Sequence, residues 1–239
     1  MKELNVLGVN ISKLTQKETL TLINEAVRDR EKKFIATANP EIIVYANKDE
    51  QYMDVLQKTD LITPDGIGVV KGVRILGEHI PERVAGFDLF MDILKVANEN
   101  KYSIYMLGAK DTTLNKAVGV INEKYPNVQL AGSHHGFFDD DDQSIIETIK
   151  HEQPDFIFVA LGFPRQEKWI AKNIHHFKKG VFMGLGGSFD VLSGEVQRAP
   201  KFWRRLNLEW FYRLVSQPAR WKRMLSLPKF ILKLIKTRF

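Results

Sequence analysis

Five short, mainly apolar runs constrain this chain more than any other feature: residues 34–38, 60–62, 103–108, 156–161 and 181–185, each ending in or followed at once by glycine, proline or a small polar residue. They are mainly apolar rather than alternating, so they predict strands covered on both faces, as in a parallel sheet. Between them lie helical patterns. Leu20, Ile23 and Val27 share one face, as do Ile43, Val44 and Ala46, then Leu89, Ile93, Leu94 and Ala97, and then Ile145, Ile146 and Ile149. Strand and helix therefore alternate, which predicts an α/β fold: a mostly parallel, Rossmann-like sheet with helices on both faces. Residues 6–11 predict one further strand at the start. Thr15 with Glu18 three residues on predicts a capped helix running to about Arg30.

In such sheets ligands bind beyond the carboxyl ends of the strands. Asp65 follows Thr63-Pro64 and precedes Gly66, so it stands at the mouth of a strand where a general base could act. The competing reading is that Asp65 caps the helix starting near Ile67. Thr37 and Asn39 close the preceding strand, and Asn39 has the same double reading as ligand contact or cap. Two later junctions, Gly162-Phe163-Pro164-Arg165-Gln166 and Gly186-Gly187-Ser188, present backbone N–H groups that suit a phosphate. Gln166 reads either as a substrate contact or as a turn-forming residue.

Composition narrows the classes. No cysteine is present, which removes disulfides and thiolate metal sites. No apolar run reaches the roughly 20 residues of a membrane span, and the first residues lack the apolar core of a signal peptide, so a place inside the cell is expected. Charge is divided unevenly. Residues 196–239 carry 12 Lys/Arg and one acid, Glu209, against 23 bases and 28 acids elsewhere. Residues 1–195 are thus expected to form the α/β catalytic domain and 196–239 a basic helical appendage holding three of the four tryptophans. Pro200, Pro218 and Pro228 predict about three short helices there. The stripes Trp203, Leu206, Trp210, Leu214 and Phe230, Ile231, Leu234, Ile235 suit helices lying in a membrane interface, although the first stripe also reads as core.

Other motifs weaken on inspection. Gly184-Leu185-Gly186-Gly187-Ser188-Phe189 has phenylalanine where a dinucleotide fingerprint needs its third glycine. Asp139 to Asp142 contain an Asp-x-Asp, but four acids before a helix read better as a helix start. The histidine pairs 134–135 and 175–176 lack the spacing of a helical metal site. No P-loop or Gly-x-Ser-x-Gly elbow occurs.

Thr37-Ala38-Asn39-Pro40, Thr63-Pro64-Asp65-Gly66, Glu82-Arg83-Val84-Ala85-Gly86-Phe87-Asp88, Gly162-Phe163-Pro164-Arg165-Gln166-Glu167 and Gly186-Gly187-Ser188-Phe189-Asp190, in this order, resemble the WecG/TagA/CpsF family of bacterial glycosyltransferases. Within it the chain is most similar to the N-acetylmannosaminyltransferases of the wall teichoic acid linkage unit. The resemblance implies an inverting transfer from UDP-N-acetylmannosamine to the 4-hydroxyl of N-acetylglucosamine on undecaprenyl diphosphate, with no metal and no cofactor. It implies Asp65 as the base, and Thr37, Asn39, Arg83, Gly162, Gln166, Gly186 and Gly187 as substrate contacts. Arg213, Arg220 and Arg223 are then expected on the acceptor diphosphate, at the cytoplasmic face of the cell membrane. A related UDP-sugar transferase with another sugar or lipid-linked acceptor is the alternative. A nucleic-acid-binding module, suggested by the basic aromatic tail, leaves the five motifs unexplained, so no nucleic acid is expected. A homo-oligomer is left open.

Overall fold

The structure is a computed structural model that describes residues 3–216 and 221–238. It opens with a two-stranded antiparallel hairpin, β1 (Glu3–Val6) and β2 (Val9–Ser12), where the sequence pattern predicts a single strand. Leu7 and Gly8 both adopt positive φ, 54° and 87°, which makes the tight turn. The apolar alternation runs straight through that turn and conceals it.

The chain then alternates as expected. It runs through α1 (Gln16–Arg28), β3 (Lys32–Ala38), α2 (Pro40–Ala46), α3 (Glu50–Gln57), β4 (Leu61–Pro64), α4 (Ile67–Gly72) and a 3-10 turn at Val73–Leu76. Next come α5 (Gly86–Asn100), β5 (Ser103–Gly108), α6 (Asp111–Lys124), β6 (Gln129–His134), α7 (Gln143–Glu152), β7 (Phe156–Ala160), α8 (Arg165–Asn173), β8 (Gly180–Gly184) and α9 (Ser188–Leu192). The tail holds α10 (Lys201–Arg205), α11 (Glu209–Ser216), α12 (Trp221–Met224) and α13 (Ser226–Arg238). The Thr15–Glu18 capping box is present at α1.

Six strands form one parallel sheet in the order β4-β3-β8-β7-β5-β6. On one face lie α2, α3, α4, α7, α8, α13 and the hairpin; on the other lie α1, α5, α6 and α9. The helix after β3 covers the first face and the helix after β8 covers the second. A crevice therefore opens between the carboxyl ends of these adjacent strands. The β5–β6 pairing slips by one residue between Ile104 and Tyr105, leaving Ala131 unpaired.

The basic tail is not uniform in its packing. In α13, Phe230 and Leu234 are fully buried among α2, α4 and the 3-10 turn, where sequence periodicity assigned them to a membrane-facing stripe. The reason is local: a Cβ at Gly72 would lie 2.7 Å from the Phe230 ring and one at Gly68 2.8 Å from Leu227, so two glycines form the groove that seats this helix. Ile235 of the same stripe stays 41% exposed. The first stripe is interrupted, because Asn207 takes the left-handed conformation at φ 59° and separates α10 from α11. Phe202, Leu206, Trp210, Phe211 and Val215 are exposed there. Pro200 immediately precedes α10 as predicted, Pro228 lies in the first turn of α13, and Pro218 lies outside the described residues.

Candidate functional site

The sheet order assembles what the sequence could only place at separate strand ends. Thr37 lies near the end of β3 with Asn39 just beyond it, Asp65 directly follows β4, Gln166 comes from the helix after β7, and Gly186 and Gly187 from the turn after β8. These four strands are neighbours, so the candidate residues share one end of one half of the sheet.

Asp65 follows the last pair of the β3–β4 ladder, its N–H donating to the Ala38 carbonyl at 2.8 Å. It does not cap α4: the capping position is Gly66, at φ 115°, and no side chain bonds to that helix start. Glycine suits that backbone, and it leaves Gly66 in contact with Asn39, whose Cβ would lie 3.7 Å from a Cβ at 66. Asn39 does cap α2, its Oδ1 accepting from the Ile42 N–H at 3.1 Å. The cap occupies one lone pair of Oδ1 and leaves the Nδ2 end of the carboxamide outside it. Thr37 packs against the start of α5, 3.1 Å from a Cβ built at Gly86.

Arg83 reaches this place through its neighbour. Val84 donates its N–H to the Pro64 carbonyl at 3.0 Å and accepts from the Thr63 hydroxyl at 3.4 Å, so the loop runs along the outer edge of β4. Both terminal nitrogens of Arg83 lie 3.2 Å from Glu209 Oε2 on α11, and one is 3.6 Å from Asp88. Arg198 binds Asp88 with two bonds of 2.7 and 2.6 Å and lies over the Phe87 ring. Burial works against the Asp88 charge, but the Arg198 bonds and the charges of Arg198, Arg83 and Arg204 outweigh it, so its carboxyl stays below the usual range. The charge of Asp65 also acts on Arg198. Sequence reasoning assigned neither Arg198 nor Glu209 to this cluster; the signal for Arg198 was its place at the composition break, and for Asp88 its place in the motif with Arg83.

Gln166 and Gly186 are bonded to each other. Gln166 is 4% exposed; its Oε1 accepts from the Gly186 N–H at 2.8 Å, and its Nε2 donates to Glu167 Oε1 at 2.6 Å. The turn-forming reading of Gln166 is thus realised, and the Gly186 N–H is already engaged. Beside them Gly162 has φ 78°, and Phe163 packs edge-on against Tyr45 and Tyr52, themselves in edge contact, with ring centroids 4.8 to 5.3 Å apart. Phe189, at the position of the missing fingerprint glycine, is fully buried core.

The four acids of 139–142 all have partners within the chain. Asp139 accepts from the Asp141 N–H, Asp140 pairs with Arg165, Asp141 pairs with Lys172, and Asp142 caps α7 through the Ser144 N–H. Among the described residues no group of three His, Asp or Glu side chains could hold a metal ion. Of the tail arginines, Arg223 is exposed and lies 3.6 Å from Glu41 in the first turn of α2, two residues after Asn39. The Arg213 side chain and the whole of Arg220 lie outside the described residues.

The family model described as "Glycosyl transferase WecG/TagA/CpsF family" matches residues 4–239. A Bacillus subtilis (strain 168) protein named N-acetylglucosaminyldiphosphoundecaprenol N-acetyl-beta-D-mannosaminyltransferase is 48% identical over 202 residues, 84% of this chain and 78% of its own length. Proteins of the same name from Bacillus spizizenii and Staphylococcus aureus (strain MW2) are 43% and 36% identical, covering 85% and 99% of this chain and 79% and 93% of theirs. The chain belongs to the WecG/TagA/CpsF family of glycosyltransferases.

Proposed function

We propose that this chain is an inverting N-acetylmannosaminyltransferase, moving the sugar from UDP-N-acetylmannosamine to the 4-hydroxyl of N-acetylglucosaminyl-diphospho-undecaprenol. The name shared by relatives up to 48% identical supports the reaction. One structural observation carries the chemistry: a carboxylate that caps no helix, at the end of β4 and in the crevice beside β3, with an arginine brought to the same edge by the Val84–Pro64 bond.

In this reading Asp65 takes the proton of the acceptor hydroxyl as its oxygen attacks the anomeric carbon from the face opposite UDP. The carbon–oxygen bond to the acceptor forms as the bond to the diphosphate breaks, so the anomeric centre inverts. Negative charge then grows on the leaving UDP. Arg83 and the N–H groups of Gly162 and Gly187 are the donors assigned to it, since fixed donors at a developing charge stabilise the transition state strongly. Thr37 and Asn39 orient the donor sugar.

The acceptor is a lipid, and the exposed Phe202, Leu206, Trp210, Phe211 and Val215 together with the tail's bases suit an anionic membrane surface. No helix among the described residues is long and apolar enough to cross a membrane. In this proposal the chain works peripherally at the cytoplasmic face, with the exposed rings of α10 and α11 toward the membrane and Arg213, Arg220 and Arg223 on the acceptor diphosphate. The position of Arg223 at the Asn39 end of α2 supports the last assignment. The test is direct: the purified chain, UDP-N-acetylmannosamine and a short-chain lipid diphosphate carrying N-acetylglucosamine should yield a β-linked disaccharide. Release of UDP without a disaccharide on that acceptor would assign the chain to another acceptor within the family.

A further inference from the structure

Glu167 is one of the least exposed charged residues of the chain, at 1%, and the mechanism above does not use it. Its Oε1 accepts from Gln166 Nε2 at 2.6 Å; its Oε2 is buried beside the Tyr52 hydroxyl of α3 without a well-formed hydrogen bond. The glycine at the end of β8 makes room for this pair. A Cβ at Gly184 would lie 2.7 Å from Gln166 Nε2 and 3.2 Å from Glu167 Oε1. An apolar residue at 167 would fill this volume without burying an acid, and burying one without full pairing is costly.

The bonds explain what the acid does there. A carboxamide has a donor end and an acceptor end of nearly the same shape, and only its partners decide which way it faces. Glu167 requires the NH₂ end of Gln166, so the oxygen end must face the Gly186 N–H, which requires an acceptor. Gly186 sits at φ 53° and begins the turn that carries Gly187. From Tyr52 through Glu167 and Gln166 to Gly186, one buried line of polar contacts connects α3 to the strand-end turn.

We infer that Glu167 is a positioning residue for the donor nucleotide: its carboxyl fixes the Gln166 carboxamide, which holds the Gly186–Gly187 turn in the geometry that receives the leaving diphosphate. This rests on the reading of that turn as part of the UDP site. Burial raises the Glu167 acid to about 7, with its Gln166 bond, its own backbone and Tyr52 acting in the opposite direction. Burial first, and then the Glu167 charge, raises the Tyr52 hydroxyl as well.

The test uses the full chain and UDP itself as the probe, by calorimetry, with Tm measured alongside. Glu167→Met keeps the volume and removes the acceptor; it is expected to weaken UDP binding about tenfold, the scale of one net hydrogen bond, with Tm not lowered. Glu167→Gln keeps an acceptor for Gln166 and a donor for Tyr52 and is expected to bind UDP within about twofold of the wild type. Donor KM should rise in Glu167→Met while kcat changes little. Wild-type UDP affinity in Glu167→Met overturns the inference, as does a fall in Tm with unchanged affinity, the signature of a merely structural acid. Gln166→Met separates this from the reading beneath it. If it weakens UDP binding while Glu167→Met does not, Glu167 alone is excluded; if neither matters, the turn is not a nucleotide site.

Discussion

Arg83 directs both terminal nitrogens, at 3.2 Å each, to a single oxygen of Glu209, the only acid among residues 196–239. Glu209 is 7% exposed, so the pair is largely desolvated and joins the tail to the loop beside Asp65. In the function proposed above, a carboxylate on this guanidinium occupies the place assigned to a phosphate oxygen of the donor, because both offer the planar fork an anionic acceptor.

The two partners should therefore have opposite effects on the donor. Arg83→Ala is expected to weaken UDP binding by at least tenfold, the loss of a charge-assisted bond. Glu209→Gln removes the competing charge and keeps the volume, and UDP should bind several-fold more tightly than to wild type. Equal weakening by both, measured by calorimetry at one ionic strength, would mean that the pair only braces the tail.

Asp65→Asn should reduce turnover by about 10²–10⁴ while UDP affinity stays close to wild type, because the change removes a base and preserves shape. Near-normal turnover with saturating lipid acceptor would move the base elsewhere in the cluster.

The buried acid makes a pH prediction with a definite sign. Glu167 is raised from 4.5 to about 7 in the folded chain. Between those values the folded state retains a proton that the unfolded state has released, so its contribution is fully present below 4.5 and is lost as pH rises through 7. The urea midpoint of the wild type, compared with that of Glu167→Gln, should fall from pH 5 to pH 8. A difference that stays flat across this range would show the folded acid to be ionised throughout.

The tail should separate into two behaviours. Phe230→Ala removes a fully buried ring and is expected to cost about 3–5 kcal/mol of stability. Trp210→Ser and Phe211→Ser alter exposed rings and should leave Tm nearly unchanged while weakening binding to anionic liposomes. A truncation at residue 195, which the composition break invites, removes Phe230 and Leu234 from the core and should not give a stable body. Unchanged liposome binding by both exposed-ring variants would reject the membrane role of that patch.

The alternation of strands and helices, the strand ends and the capping box were legible because each is written in neighbouring residues. The order β4-β3-β8-β7 was not, since nothing local to Thr37 or Gly186 says that their strands lie side by side. The hairpin turn at Leu7-Gly8 escaped because leucine rarely takes a positive φ, and its pattern resembles continuous strand. Phe230 and Leu234 show the limit of periodicity: an apolar stripe among lysines suits a lipid surface and a protein groove equally, and only Gly68 and Gly72, some 160 residues earlier, decide. Arg83 was found through its motif, but its partner Glu209 lies 126 residues away. Glu167 stood inside a recognised motif without an assigned task, because a buried acid and an exposed one are the same letter.

The loop laid along β4 also bears on how copies of this chain could meet. An open strand edge is the usual invitation to pair with another molecule. Here β4 is four residues long, ends in a proline, and has its outer edge occupied by the Val84 amide. At the opposite margin, β6 carries a bulge, and Gln129 and Ser133 are exposed along it. Neither border of the six-stranded sheet offers a flat template for sheet extension, which directs any self-association of this enzyme to surfaces other than those two margins.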